Sequence, residues 1–160
     1  PYSQGVRSHS LTVNNYMLVR FKEKGLLYDS NTALYYNTLP KPFMFSNNLL
    51  RIPFNWQDDV HLDFGYDIKN CCFDVKNENV IFNFHPIHIF LNSPTIEFYK
   101  KSKNFYKDDF LLSKNVNHRY FGIKDLLMEI LEKVSSEKVV NKTLIEIYNE
   151  FLKINIKKNS

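Results

Sequence analysis

The stretch NYMLVRFKEKGLLYDS, residues 15–30, predicts a helix that is followed at once by a short buried strand. Apolar residues recur at helical spacing on one face of this helix, at Met17, Leu18 and Phe21. Ser10 or Thr12 is placed to cap its start, and Gly25 suits a left-handed end. A helix that leads directly into a strand at residues 26–30 is the unit of a parallel α/β sheet.

Three further apolar segments have the length and composition of strands, and they are LLRIPF (49–54), CCFDV (71–75) and NVIFNF (79–84). The last third of the chain is helical in pattern. Residues 123–134 carry a regular apolar stripe, and Thr143 with Glu146 has the form of a capping box that opens a second helix. We therefore predict an α/β fold with two C-terminal helices, in a single domain that spans residues 1–160.

Composition excludes several classes of protein. The net charge is +4, from 21 basic and 17 acidic residues, and the lysines are scattered. With no glycine-rich phosphate loop and no recognition-helix pattern, we expect no nucleic-acid partner. No apolar run reaches the ~20 residues of a membrane span. The adjacent Cys71 and Cys72 are poorly placed to bridge each other, which fits a reducing compartment such as the bacterial cytoplasm.

His85 stands where a predicted apolar strand ends, and Pro86 follows it directly. Ligands of α/β sheets bind beyond the carboxyl ends of the strands, and proline fixes the backbone after the histidine. His85 is therefore a candidate acid/base residue, with His88 close behind it. The alternative is a histidine that only satisfies backbone groups at the end of a strand. We expect the segment from His85 to His88 to be non-helical.

A second polar cluster, residues 53–63, holds Trp56, Asp58, Asp59 and His61. One carboxylate can face a pocket while the other orients an arginine or histidine, and the indole ring can stack on a sugar. The alternative is a polar surface loop with one packed tryptophan. Arg7 and His9 form a third cluster ahead of the first helix, whereas His118 receives no role. No histidine pair has a strong metal-ligand spacing, so we predict no complete metal site within this chain.

Taken in order, these pieces resemble the polysaccharide deacetylases of the carbohydrate esterase family 4 type. Residues 5–31 resemble the third conserved block of that family, residues 49–59 the fourth, and residues 80–90 the last, where an apolar strand leads to His-Pro. Residues 121–134 and 142–151 resemble the terminal helices of its surface-polysaccharide members. The resemblance implies a partial or distorted (β/α) barrel of the glycoside hydrolase/deacetylase type.

The resemblance also implies roles for individual residues. His85 matches the general acid that protonates the leaving amine of an N-acetyl sugar, and Arg7 matches the arginine that orients a catalytic aspartate. Asp58 or Asp59, with Trp56, matches the acidic and aromatic surroundings of that arginine. The residues that we expect to contact substrate are Trp56, His9, His61 and His88.

The first two family blocks, which supply the general base and the metal ligands, have no counterpart here. The resemblance therefore implies the C-terminal part of a deacetylase, with those blocks N-terminal to Pro1. A divalent metal, zinc by preference, would belong to the complete enzyme, and this part alone would be inactive. Uncovered barrel edges would favour self-association. The alternatives are a non-catalytic carbohydrate-binding or assembly module on the same scaffold, and an unrelated α/β domain in which His85 is structural.

Overall fold

The computed structural model of the chain describes residues 3–35, 41–71 and 80–159. The strands in these ranges are β1 (Gly5–Val6), β2 (Tyr28–Asp29), β3 (Phe43–Met44), β4 (Leu50–Arg51), β5 (Trp56–Gln57) and β6 (Phe82–Asn83). The α-helices are α1 (Asn15–Glu23), α2 (Asp58–Asp63), α3 (Pro86–Leu91), α4 (Ile96–Ser102), α5 (Asp109–Lys114), α6 (Ile123–Ser136) and α7 (Leu144–Asn159). Short 3-10 helices lie at His9–Leu11, Ile68–Asn70 and Lys103–Phe105. Apart from Cys71, the predicted strand at 71–75 lies outside the described residues.

The chain divides into two compact units. The first comprises the described parts of Pro1–Asn55, Asn79–Ile81 and Asn141–Ser160, and the second comprises those of Trp56–Glu78 and Phe82–Val140. The fold is mixed α/β, as the sequence predicts. The strands of the described residues do not close into a barrel, so the distorted barrel stays a prediction. Within the described ranges, no helix combines the length and the apolar character that crossing a membrane requires.

The first unit holds a four-stranded sheet in the order β1-β2-β4-β3. The pairs β1–β2 and β2–β4 are parallel, and β3 runs antiparallel to β4. The helix and strand expected at residues 15–30 are confirmed, but the cap is Asn14, whose side chain accepts a hydrogen bond from the Met17 N–H at 2.9 Å. Gly25 ends the helix at a φ of +76°, which glycine adopts without strain.

A buried ion pair joins β2 to β4. Arg51 donates from Nε to Asp29 Oδ1 at 2.8 Å and from a terminal nitrogen to Oδ2 at 2.7 Å. Asp29 is 0% exposed, and the Arg51 guanidinium also lies 4.5 Å from the centre of the Phe45 ring. The surrounding core consists of Leu49, Leu50, Ile52 and Phe54. Such a bidentate pair fixes the register of the two strands more firmly than apolar contacts do.

The second unit contains the parallel pair β5–β6, with Trp56 opposite Phe82 and Gln57 opposite Asn83. Its apolar core is formed by Trp56, Leu62, Ile68, Ile123 and Leu126. The predicted helix at residues 123–134 is confirmed as α6, and its buried stripe contributes two of these core residues. Through this core, the strand pair packs against the buried face of α6.

The expectation that residues 85–88 are non-helical is wrong. Pro86 begins α3, and His85 is its N-cap residue with extended backbone angles. Proline suits the first helical position because its missing N–H would have no partner there, and its fixed φ matches the helix. Pro86 therefore starts a helix instead of fixing a turn, and His88 lies within that helix.

Candidate active site

The parallel pairing of β5 and β6 brings Asp58 and His85 together. Asp58 follows β5 directly as the first residue of α2, and His85 lies two residues beyond β6. Because the two strands are parallel and in register, their carboxyl ends meet at one edge. The carboxylate and the imidazole come from positions 27 residues apart in the sequence, so only the strand pairing makes them neighbours.

Asp58 contacts His85 at two points. Its Oδ2 accepts a hydrogen bond from the His85 backbone N–H at 2.7 Å, and its Oδ1 lies 2.5 Å from His85 Nδ1. The Asp58 side chain is 0% exposed, whereas that of His85 is 39% exposed. A buried carboxylate that orients an imidazole in this way fixes both its direction and its proton.

The proton on the His85 ring is determined by this contact. An ionised carboxylate only accepts hydrogen bonds, so the shared proton lies on Nδ1. The other ring nitrogen, Nε2, then points away from Asp58, and it lies 3.9 Å from Asp59 Oδ2. The Asp59 side chain is 40% exposed, so Nε2 and Asp59 share a solvent-accessible space. A ring held at Nδ1, with Nε2 on the side away from Asp58, is suited to donate a proton from Nε2 when it is charged.

Gln57 supports this carboxylate pair, and nothing in the sequence pattern marked it. Its Nε2 donates a hydrogen bond to Asp59 Oδ1, which also accepts one from the Val60 N–H at 2.7 Å. Gln57 is 7% exposed, and within the described ranges its Oε1 has no hydrogen-bond partner. Its place on β5, one residue before the aspartates, is the signal that could have identified it.

Asp58, Asp59 and His85 offer ligand atoms that all lie within 4.8 Å of one another, which is close enough for a metal ion. However, Asp58 Oδ1 already accepts hydrogen bonds from His85 Nδ1 and from the Asp59 N–H at 2.8 Å, and Oδ2 accepts one from the His85 backbone. His85 Nε2 and Asp59 Oδ2 take no part in these three bonds. A metal site needs three or four converging protein ligands, and these three residues supply the minimum, so a metal here would compete with His85 Nδ1 for Asp58 Oδ1.

His88 lies one turn into α3, and its ring is 6.0 Å from that of His85. It is 1% exposed, its Nδ1 lies 3.1 Å from Ser93 Oγ, and its ring centre is 4.3 Å from that of Tyr99. Burial lowers the pKa of His88, against an opposing effect of the negative charge on Asp58. His88 therefore packs behind His85 as a neutral ring at neutral pH, and the predicted substrate contact stays a prediction.

Trp56 and His61 form a buried pair. Trp56 is 1% exposed, and its indole N–H donates to His61 Nδ1 at 3.3 Å. Its ring packs against Phe82 and Phe84, with centres 5.8 and 4.9 Å away. Burial lowers the pKa of His61, partly offset by Asp67. A sugar could stack on Trp56 only if this packing opened, so its role in binding also stays a prediction.

Arg7 and His9 belong to the first unit. The Arg7 guanidinium donates to Ser30 at its carbonyl oxygen (3.0 Å) and its hydroxyl (2.8 Å), and it lies 4.6 Å from the centre of the Phe54 ring. Burial lowers the pKa of Arg7. His9 is exposed at the start of a 3-10 helix. The roles predicted for these two residues stay predictions.

Comparison with known proteins identifies the family of this chain. Residues 1–103 match the WbmS-like polysaccharide deacetylases. The chain belongs to this family. It is also similar to the crystal structure of a proposed polysaccharide deacetylase involved in O-antigen biosynthesis from Bordetella bronchiseptica, with a TM-score of 0.73 and 26% sequence identity. That similarity covers 83% of this chain and 57% of the Bordetella chain, so the sequence spans little more than half of its relative. No curated protein matches the sequence significantly.

The family confirms the resemblance that the sequence predicts. Three features lie within the matched residues 1–103, namely the Arg7 turn, the Asp58–Asp59 pair and His85. Helices α6 and α7 lie beyond this range. The WbmS-like deacetylase family therefore covers every residue for which a catalytic role was expected.

Proposed function

We propose that this chain supplies the proton-donating half of a deacetylase that hydrolyses N-acetyl groups on a surface glycan or its precursor. The observation that carries the proposal is the Asp58–His85 pair, built where two parallel strands end. The association of the Bordetella relative with O-antigen biosynthesis supports a bacterial cell-surface glycan as the substrate class.

In the proposed reaction, water adds to the amide carbonyl, and the carbon–nitrogen bond of the tetrahedral intermediate then breaks. The charged His85 ring transfers the proton on Nε2 to the departing nitrogen, which leaves as a free amine, and acetate is released. Asp58 keeps the second ring proton on Nδ1 and stabilises the charged ring before the transfer. After transfer the ring is neutral, and it regains its proton from solvent.

Other residues have supporting roles in this proposal. Asp59 lies beside Nε2, so its carboxylate favours the charged ring and contacts the substrate amine. The sequence-based roles are kept as part of the proposal: Arg7 as the arginine that orients a carboxylate, and Trp56, His9, His61 and His88 as residues that contact substrate. A divalent metal, zinc by preference, would lower the pKa of the attacking water, and we place its ligands and the general base outside this sequence. Self-association through uncovered strand edges remains a prediction.

The test is acetate release from an N-acetylated oligosaccharide by the protein expressed from its complete gene with added zinc. We expect His85→Gln to lower kcat by roughly 10²–10⁴-fold, the usual contribution of a general acid. The matched control is Asp63→Asn on the exposed end of α2, which should leave kcat unchanged. Equal activity of His85→Gln and the parent protein would remove His85 from the reaction.

A second candidate is a non-catalytic carbohydrate-binding or assembly module on the same scaffold. The hydrogen bonds that already occupy Asp58 favour it, because they compete with a metal for the ligand trio that the described residues offer. Saturable binding of the oligosaccharide without acetate release, even with zinc present, would support this second function over the first.

A further inference from the structure

A cavity of about 400 Å³ lies in the second unit, between the end of α3 and the start of α6. Its lining comprises Asn92, Val116, Asn117, His118, Arg119, Tyr120, Phe121, Lys124 and Asp125. The volume is within the range of cavities that hold small ligands. None of Asp58, Asp59 and His85 lines it, so it is separate from the candidate active site.

The floor of this cavity is fixed by buried amides. Asn92 donates from Nδ2 to Asp125 Oδ2 at 2.8 Å, and its Oδ1 accepts from the Lys124 N–H at 3.0 Å. Asn117 donates to the Asn92 carbonyl at 2.9 Å and to the Tyr120 carbonyl at 2.6 Å. Asn92 and Asn117 are 6% and 7% exposed. Gly122 packs directly against Asn92, since a Cβ there would collide with the Asn92 carbonyl. The cavity is therefore preformed.

Positive charge dominates the wall. Arg119 and Lys124 are exposed, and neither has a carboxylate partner within the part of the chain that the structure describes. The carboxylate in the lining, Asp125, instead accepts hydrogen bonds from Asn92 and from the Gly122 N–H at 3.0 Å. His118 adds a further donor. The lining thus carries two cations and one carboxylate, and within the described residues no ion pair joins Asp125 to Arg119 or Lys124.

We propose that this cavity binds an oxyanion group, a phosphate or a carboxylate, carried on a sugar. Arg119 supplies a planar fork that matches either group, and Lys124 supplies a second charge. The amides of the first turn of α6 are already bonded to Asn92 and Asp125, so the side chains hold the ligand and the helix end does not. Tyr120, which is 63% exposed, provides a ring beside the sugar.

The proposal is tested by binding alone, so its outcome is independent of turnover by the deacetylase. Inorganic phosphate, glucuronate and glucose are titrated into the isotope-labelled chain, and the amide signals of Gly122, Lys124 and Asp125 are followed by NMR. We expect saturable shifts with the phosphate or the glucuronate and none with glucose. The anion that binds more tightly shows whether the site prefers a phosphate or a carboxylate. Equal shifts with glucose, or none with either anion, would overturn the proposal.

Three variants make the test specific. Arg119→Gln and Lys124→Gln should each weaken binding of the anion by roughly tenfold, the loss expected for a charge-assisted hydrogen bond. Lys107→Gln removes the same charge from an exposed residue outside the lining, and it should leave the affinity within twofold. If Lys107→Gln weakened binding as much as Arg119→Gln, the effect would be one of net charge, and no site would be present.

Discussion

Asp58 binds the main chain and the side chain of His85 with the two oxygens of one buried carboxylate, at 2.7 Å and 2.5 Å. The first contact fixes the backbone at the start of α3, and the second fixes the rotation of the imidazole. With both fixed, the direction of Nε2 is set before any substrate arrives. Preorganisation of this kind avoids the cost of orienting the acid during the reaction.

Replacing the carboxylate with an amide tests this positioning role. We expect Asp58→Asn in the complete protein to lower kcat by roughly 10²–10⁴-fold with little change in KM, because an amide cannot stabilise the charged ring. The measurement is the rate of acetate release across the pH range. Asp63→Asn serves as the control for a lost carboxylate on α2. A higher KM with an unchanged kcat in Asp58→Asn would instead indicate that Asp58 acts in substrate binding.

Zinc binding distinguishes a metal centre from a hydrogen-bonded pair. Because zinc would have to displace the hydrogen bonds between Asp58 and His85 to gain its third protein ligand, we expect the chain to lose added zinc on dialysis. The measurement is metal content by elemental analysis, with His85→Gln and Asp59→Asn alongside. Stoichiometric zinc that both substitutions abolish would contradict this prediction, and it would make Asp58, Asp59 and His85 a metal site.

The Asp29–Arg51 pair should dominate the stability of the first unit. Arg51→Met leaves a carboxylate that is 0% exposed without its partner, and we expect a loss of about 3–5 kcal/mol in the free energy of unfolding. The measurement is urea denaturation. Arg20→Gln breaks an ion pair whose side chains are 51% and 52% exposed, and it should cost less than about 1 kcal/mol. Similar losses of unfolding free energy in Arg51→Met and Arg20→Gln would contradict the prediction that the buried pair contributes more than the exposed one.

His88 should make folding sensitive to acid. Burial lowers its pKa in the folded chain, while the unfolded chain titrates near 6.5. As the pH falls below about 6.5, the unfolded state therefore takes up a proton that the folded state excludes, and stability falls. When the pH is lowered from about 7.5 to about 5.5, the denaturation midpoint should fall less in His88→Gln than in the parent protein. The control is His118→Gln, at an exposed residue, whose denaturation midpoint should fall with pH as it does in the parent protein. If the midpoint of His88→Gln fell just as steeply, His88 would not be the source of the acid sensitivity.

Local pattern predicted some of the elements but not all of them. The spacing of apolar residues predicted α1 and α6, and Gly25 correctly marked the end of α1. Pattern also placed His85 beyond a strand, although Pro86 proved to start a helix, because proline stabilises a first turn as readily as it constrains a loop. The cap of α1 was misplaced since serine, threonine and asparagine compete for that position on nearly equal terms.

Long-range geometry could not be read from the sequence. That Asp58, and not Asp59, hydrogen-bonds His85 Nδ1 depends on the register of β5 and β6, which no local pattern specifies. Likewise, the burial of Trp56 follows from packing against Phe82 and Phe84 across that pair. The support that Gln57 gives to Asp59 is local, between residues two positions apart, but no sequence pattern distinguishes this glutamine from other polar residues on a strand.

The central claim is that Asp58 holds the proton of His85 on Nδ1 and leaves Nε2 to act. A long-range ¹H–¹⁵N correlation spectrum of the labelled chain reports this directly, with the His85 signals identified by their loss in His85→Gln. We predict the Nδ1-protonated form of the neutral ring, and a shift toward the other form in Asp58→Asn. A neutral His85 ring protonated on Nε2 in the parent protein would contradict the account.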